Sequence, residues 1–147
     1  GAAPFGWILG VEQAPQQVAE MLTAISKEPW VILLILNIAL LVAGMFMETL
    51  AAIIILAPIL APAALQYGID PVHFGILMVV IMEVGMCHPP VGLNLYVASG
   101  ITKMGITELT VATWPWLLTM LVFLVVVTYW PPLSIWLPQQ LGMIAVK

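Results

Sequence analysis

Six residues, Cys87-His88-Pro89-Pro90-Val91-Gly92, interrupt an otherwise apolar stretch between Val72 and Ile101. Two prolines in a row cannot continue a helix, because each lacks an N–H and restricts the residue before it. At membrane depth such a break is tolerated only where protein or a water-filled cavity satisfies its polar groups. The chemistry on offer is ion and solute binding. Unwound carbonyls can coordinate a cation, while the N–H groups opening the next half-helix face an anion. Cys87, His88 and Pro89 are thus candidate carbonyl ligands for a cation. The second half-helix is expected to open near Val91, which places Gly92 and Asn94 at a candidate substrate site. A plain proline kink without a ligand is the alternative, and the flanking His88 and Gly92 argue for more.

Gly44-Met45-Phe46-Met47-Glu48-Thr49 is a second interruption. Gly44 permits unusual backbone angles, and Glu48 and Thr49 offer oxygen ligands. Gly44 and Glu48 join the candidate cation ligands, and Thr49 the candidate substrate-binding residues. For Glu48 the competing role is the N-cap of the following helix. Ionisable groups inside a membrane segment are functional hypotheses by default, so Glu83 also counts, four residues before Cys87 and on its helical face. A Glu83/Cys87/His88 metal centre is conceivable, but the spacing fits no common zinc pattern. His73, near a turn, is expected at an interface. No Gly-x-Ser-x-Gly, phosphate loop or paired acid–base motif occurs, so an enzyme is not expected.

The elements that hold these residues must sit in lipid. Of 147 residues, 63% are hydrophobic and 7% charged, with a mean hydropathy of +1.16. Soluble domains carry about 25% charged residues because their surface faces water. Uncharged runs from Trp30 to Phe46 and from Leu109 to Val146 suit a bilayer core, which needs about 20 apolar residues per span. The net charge is −4, and Lys27, Lys103 and Lys147 are the only cations besides the two His. That excludes a nucleic-acid partner, which needs a basic footprint. Cys87 has no partner in the sequence for a disulfide. Three Lys are too few for orientation from charge.

Along the chain, Gly1 to Gly10 is expected to be a helix end with Trp7 as interfacial anchor. It carries no basic signal-peptide region and resembles a fragment starting late in an earlier helix. Residues 11–28 are expected to form an amphipathic surface helix, with Val18, Met21, Leu22 and Ile25 on one face. Pro29 suits a helix start. Residues 29–66 are either two ordinary spans or a re-entrant hairpin with its tip at Gly44 to Thr49. Trp30 to Ala43 would be only about 21 Å long as a helix, against a bilayer core of about 30 Å, which favours the hairpin. Gly68 and Asp70-Pro71 mark a turn. Residues 71–101 are expected to form one transmembrane helix broken near its middle. Thr102 to Thr113 is expected to be a surface connection, residues 115–137 the last transmembrane helix, and Trp136 an interfacial residue.

Several runs then join into a resemblance: Gly44-Met45-Phe46-Met47-Glu48, Pro58-Ile59-Leu60-Ala61-Pro62, Gly68-Ile69-Asp70-Pro71-Val72-His73-Phe74-Gly75, Glu83-Val84-Gly85 and His88-Pro89-Pro90-Val91-Gly92-Leu93-Asn94-Leu95. Together they resemble the carboxy-terminal part of the large membrane subunit (DctM type) of tripartite ATP-independent periplasmic (TRAP) transporters, over nearly the whole chain. That resemblance implies an all-α, multi-pass protein of the bacterial inner membrane, forming half of an inverted-repeat elevator transporter. It implies sodium-coupled uptake of organic acids, often C4-dicarboxylates, with sodium as coupling ion and no other cofactor. It also implies a periplasmic substrate-binding protein and a small membrane subunit as partners, beside the lipid bilayer. Where this family commonly has Thr before Pro-Pro-Val-Gly, this chain has His88, which removes a hydroxyl ligand and leaves the carbonyls. Three rivals stay open: a cation/proton antiporter using Glu48 or Glu83 as relay, the membrane metal enzyme, and a purely structural membrane subunit.

Overall fold

The computed structural model describes Pro4, Ile8 and residues 11–142, so Trp7 lies outside the described residues. Every regular element among them is helical: α1 (Ala14–Ile25), α2 (Pro29–Phe46), α3 (Thr49–Gln66), α4 (Pro71–Met86), α5 (Leu93–Thr102), α6 (Ile106–Tyr129) and α7 (Pro132–Gln140). Proline opens α2 and α4, where its missing N–H would have had no helical partner. Asp70 caps α4, accepting the N–H groups of Val72 and His73 at 2.9 and 3.3 Å.

Named contacts fix the directions. Gly44 near the end of α2 meets Gly85 near the end of α4, so these two helices run parallel. Trp114, early in α6, faces His88 just past α4, while Thr128, late in α6, faces His73 at the start of α4. Hence α6 runs antiparallel to α4. The Tyr67 hydroxyl, just past α3, meets Thr23 of α1 at 2.7 Å. One end of the bundle thus holds the α2–α3 connection and the α4–α5 break. The other holds the chain entry at Pro29, the turn at Gly68 and the end of α6.

The core is a seam between α2 and α4. Ile32, Leu36, Leu40 and Gly44 recur every four residues on α2, and Leu77, Ile81 and Gly85 do so on α4; all are buried. The opposite faces are apolar too: Leu34, Ile38, Val42, Leu118, Val122 and Phe123 are exposed. Among lipid tails such a seam is held by close packing rather than by escape from water.

Four expectations change. Helices α2 and α3 have 18 residues each, about 27 Å, longer than the Trp30 to Ala43 estimate because α2 continues through Gly44 to Phe46; among the described residues three helices are long and apolar enough to cross a membrane. The second half-helix opens at Leu93 rather than near Val91, since Gly92 has φ +50° and stands outside it. The last long helix begins at Ile106, not Pro115. Its polar first turns are threonines whose hydroxyls bond back to helix carbonyls, Thr110 to Ile106 and Thr113 to Leu109, so they hide polarity instead of marking a loop. This helix ends at Tyr129, and α7 is a separate helix after Trp130-Pro131. On α1, Ala19 and Leu22 are buried, but Met21 and Ile25 are exposed, so the apolar stripe is split between the bundle and its surroundings.

Candidate functional site

The first half of the site is the α2–α3 connection. Helix α2 closes with the Met47 N–H bonded to the Ala43 carbonyl at 2.9 Å. The carbonyls of Gly44, Met45, Phe46 and Met47 lie past that last rung, as the final four of any helix must. Glu48 has extended backbone, and its carboxylate accepts the N–H groups of Leu50 at 2.9 Å and Ala51 at 3.0 Å. Its carbonyl accepts the Ala52 N–H at 2.9 Å. Glu48 is therefore the N-cap of α3, and the carbonyls before it are better placed to serve a cation.

Helices α2 and α4 touch backbone to backbone beside this connection. A Cβ built on Gly85 would stand 2.8 Å from both Cα and C of Gly44, and one on Gly44 would stand 3.3 Å from Gly85 Cα. No other residue type allows so close an approach without something shifting. The connection and the end of α4 also share polar contacts. The Thr49 hydroxyl lies 3.3 Å from Glu83 Oε1 and 2.7 Å from Met86 Sδ. Its single proton serves one of them at a time.

The second half is the break. Cys87 N–H bonds the Val84 carbonyl at 3.2 Å and His88 N–H the Gly85 carbonyl at 2.9 Å. Among the described residues no donor bonds the carbonyls of Cys87 or Pro89, while residues 89–91 form a turn that folds Gly92 back against the His88 carbonyl. The Pro89–Pro90 peptide bond is cis. Gly92 is buried in the left-handed region, and a Cβ there would lie 2.9 Å from the His88 carbonyl oxygen. Across the gap the Asn94 amide meets Cys87 Sγ at 3.4 Å.

The expected site residues thus fall into three groups. Gly44 and Thr49 meet the end of α4. Cys87, His88, Gly92 and Asn94 gather around the break, with Pro89 between them. Glu48 turns to its own helix. Glu83, Cys87 and His88 do not converge on a metal site: among the described residues no three His, Cys, Asp or Glu side chains come together. The His88 ring instead stacks on Trp114, with centroids 6.3 Å apart and planes at 29°.

A second polar cluster escaped the sequence reading. His73, at the end of the bundle, is 2% exposed, and Asn37 and Thr128 are buried with it. Asn37 Nδ2 donates to Thr128 Oγ1 at 2.7 Å, and His73 Nε2 reaches the Thr128 carbonyl at 3.4 Å. That carbonyl is free because the residue four positions on is Pro132, which has no N–H. The Pro131-Pro132 pair was the available signal, since it predicts stripped carbonyls at Val127 and Thr128.

Comparison with known proteins identifies the family. A family model described as "Tripartite ATP-independent periplasmic transporter, DctM component" matches residues 1–133. The C4-dicarboxylate TRAP transporter large permease protein DctM of Rhodobacter capsulatus is 62% identical over 142 residues, covering 97% of this chain and 32% of that protein. The isethionate TRAP transporter permease protein DctMQ of Oleidesulfovibrio alaskensis is 45% identical, covering 88% of this chain and 20% of that protein. The sialic acid TRAP transporter large permease protein SiaM of Vibrio cholerae is 39% identical, covering 95% and 33%. The chain spans about a third or less of the length of these relatives.

Proposed function

Since the chain belongs to the DctM family of TRAP transporter components, we propose that it forms the ion- and substrate-handling part of a sodium-coupled importer of small organic acids. The full protein would be a multi-pass subunit of the bacterial inner membrane. Its partners would be a small membrane subunit and a periplasmic protein that delivers the acid. C4-dicarboxylates are the favoured substrates, because relatives named for them share the most sequence among those compared.

The observation that carries this reading is the meeting of the two interruptions: the close approach of Gly44 to Gly85 and the contact of Thr49 with the end of α4. Carbonyls from Gly44 to Met47 and from Cys87 to Pro89 would hold sodium, because oxygen dipoles replace water around a cation. Bound sodium would neutralise those dipoles and allow an anion to approach Gly92, Asn94 and the opening N–H groups of α5. Thr49, at the edge of the same region, would add a hydroxyl. With no Arg in the chain, a cationic clamp for the acid would come from the rest of the protein. Although α2 and α3 are each long and apolar enough to cross a membrane, membership of this family leads us to read 29–66 as the re-entrant hairpin and 71–101 as the broken helix of an elevator-type unit. The antiporter rival loses support because both carboxylate oxygens of Glu48 are engaged in the cap.

The test is uptake into proteoliposomes holding the full complex, with its binding protein outside. A sodium gradient should drive accumulation of C4-dicarboxylates in preference to a sialic acid. Uptake driven by a proton gradient without sodium would overturn the reading.

His88 supplies a narrower prediction. If its carbonyl is what matters, His88→Thr should retain transport, with sodium half-saturation equal or lower. The lost stack on Trp114 should cost only about 0.5–1.5 kcal/mol of stability. Sodium activation curves at several pH values check this. Loss of transport in this variant at every pH tested would instead assign the imidazole itself a role in the mechanism.

A further inference from the structure

Between its Asp70 cap and Cys87, helix α4 carries a single carboxylate, Glu83. A carboxylate at membrane depth is costly and marks a functional group by default. The Glu83 side chain is exposed rather than packed in the core. Among the described residues its hydrogen-bond partner is Thr49, whose hydroxyl stands 3.3 Å from Oε1.

Thr49 is placed between the two interruptions. It follows Met47 by two residues, directly after the Glu48 cap, and it touches Met86, the residue before Cys87. The hydroxyls of Thr110 and Thr113 bond carbonyls of their own helix. Thr49 instead opens its helix and directs its hydroxyl across to α4.

That hydroxyl has one proton and two unequal acceptors. A carboxylate is a strong, charged acceptor, whereas a thioether is a weak one. The proton therefore goes to Glu83, and the flexible Met86 side chain yields. What Thr49 keeps for the gap between the interruptions is oxygen lone pairs. Lone pairs suit a cation. The carboxylate of an acid would find no donor there and would meet the like charge of Glu83. We propose that Glu83 is a positioning residue of the ion site. It holds the Thr49 proton, so that Thr49 presents an oxygen to sodium beside the carbonyls of Met47 and Cys87. This rests on the sodium reading above, and it gives to the ion a side chain that the sequence placed at the acid.

The test is equilibrium binding of radioactive sodium to the purified full-length complex, paired with the acid KM of uptake at saturating sodium. Thr49→Val removes the hydroxyl and keeps the shape, and it should weaken sodium binding about tenfold. Thr49→Ser, which keeps the hydroxyl, should regain most of that loss. Glu83→Ala should also weaken binding about tenfold, while Glu83→Gln, which still offers an amide oxygen, should stay within about threefold of wild type. Because Glu83 acts through Thr49, the Glu83→Ala, Thr49→Val double variant should be no weaker than the worse single variant. Independent effects would instead multiply to roughly a hundredfold. Acid KM and melting temperature should change little throughout.

Glu83→Gln as weak as Glu83→Ala, or a double variant at the full product, would show Glu83 acting on the ion directly and overturn the positioning role. A raised acid KM with sodium affinity intact would return Thr49 to the acid. Unchanged sodium affinity in Thr49→Val would overturn this assignment alone. Absence of saturable sodium binding in the wild type would overturn the sodium reading along with it.

Discussion

Gly85→Ala should cut initial uptake about tenfold or more, whereas Gly75→Ala on the same helix should leave it unchanged. The added methyl at Gly85 would sit 2.8 Å from two backbone atoms of Gly44 and 3.1 Å from the Leu41 carbonyl. Backbone cannot rotate aside as a side chain can, so α2 and α4 must part where the two interruptions meet. Overpacking of this kind costs about 1–3 kcal/mol, and about 1.4 kcal/mol lost at the site is already a factor of ten. At Gly75 nothing lies within 4 Å of the new methyl, and Ala in a helix interior is favoured over Gly by roughly 0.5–1 kcal/mol. Gly44→Ala, with its nearest contact at 3.3 Å, should fall between them. Uptake and melting temperature of the full complex at matched expression give the order; equal uptake in Gly75→Ala and Gly85→Ala would show that the close approach is not needed.

Replacing both Pro89 and Pro90 by Ala should abolish sodium-driven uptake while the protein still inserts. The two prolines keep backbone N–H groups out of the break, and no described donor bonds the carbonyls of Cys87 and Pro89. Alanines restore two N–H groups and permit helix through the gap. Carbonyls taken into a helical ladder are no longer aimed at an ion. Losing even one or two charge-assisted contacts, each worth about 1.5–3 kcal/mol, would weaken sodium binding by ten- to a hundredfold or more. Helix content should rise slightly by circular dichroism. Normal uptake with an unchanged sodium requirement in this variant would remove the break from the mechanism.

Much of this was legible in the sequence, and the reason is local. Consecutive prolines, Gly92 with its positive φ, and a carboxylate ahead of an apolar run dictate chain breaks and caps from their own covalent chemistry. The membrane setting was legible as well, because so few charged residues leave no water-facing surface. What stayed hidden depends on partners distant in sequence. Nothing near Gly85 distinguishes it from Gly75; the difference is Gly44 on another helix. His73 reads in the sequence only as a residue after a turn, and its burial comes from Thr128 on α6. Trp114 carried no signal for its stack on His88. The start of α6 was missed because threonines read as polar, although in a helix they can bond their own backbone.

Equilibrium binding of radioactive sodium to the purified full-length complex, without substrate or gradient, tests most directly whether the two interruptions form a cation site. Saturable binding is expected in the wild type and in Lys103→Ala, and it should weaken at least about tenfold in the Pro89→Ala, Pro90→Ala double variant. Saturable sodium binding of the same affinity in all three proteins would contradict the assignment of the ion to these carbonyls.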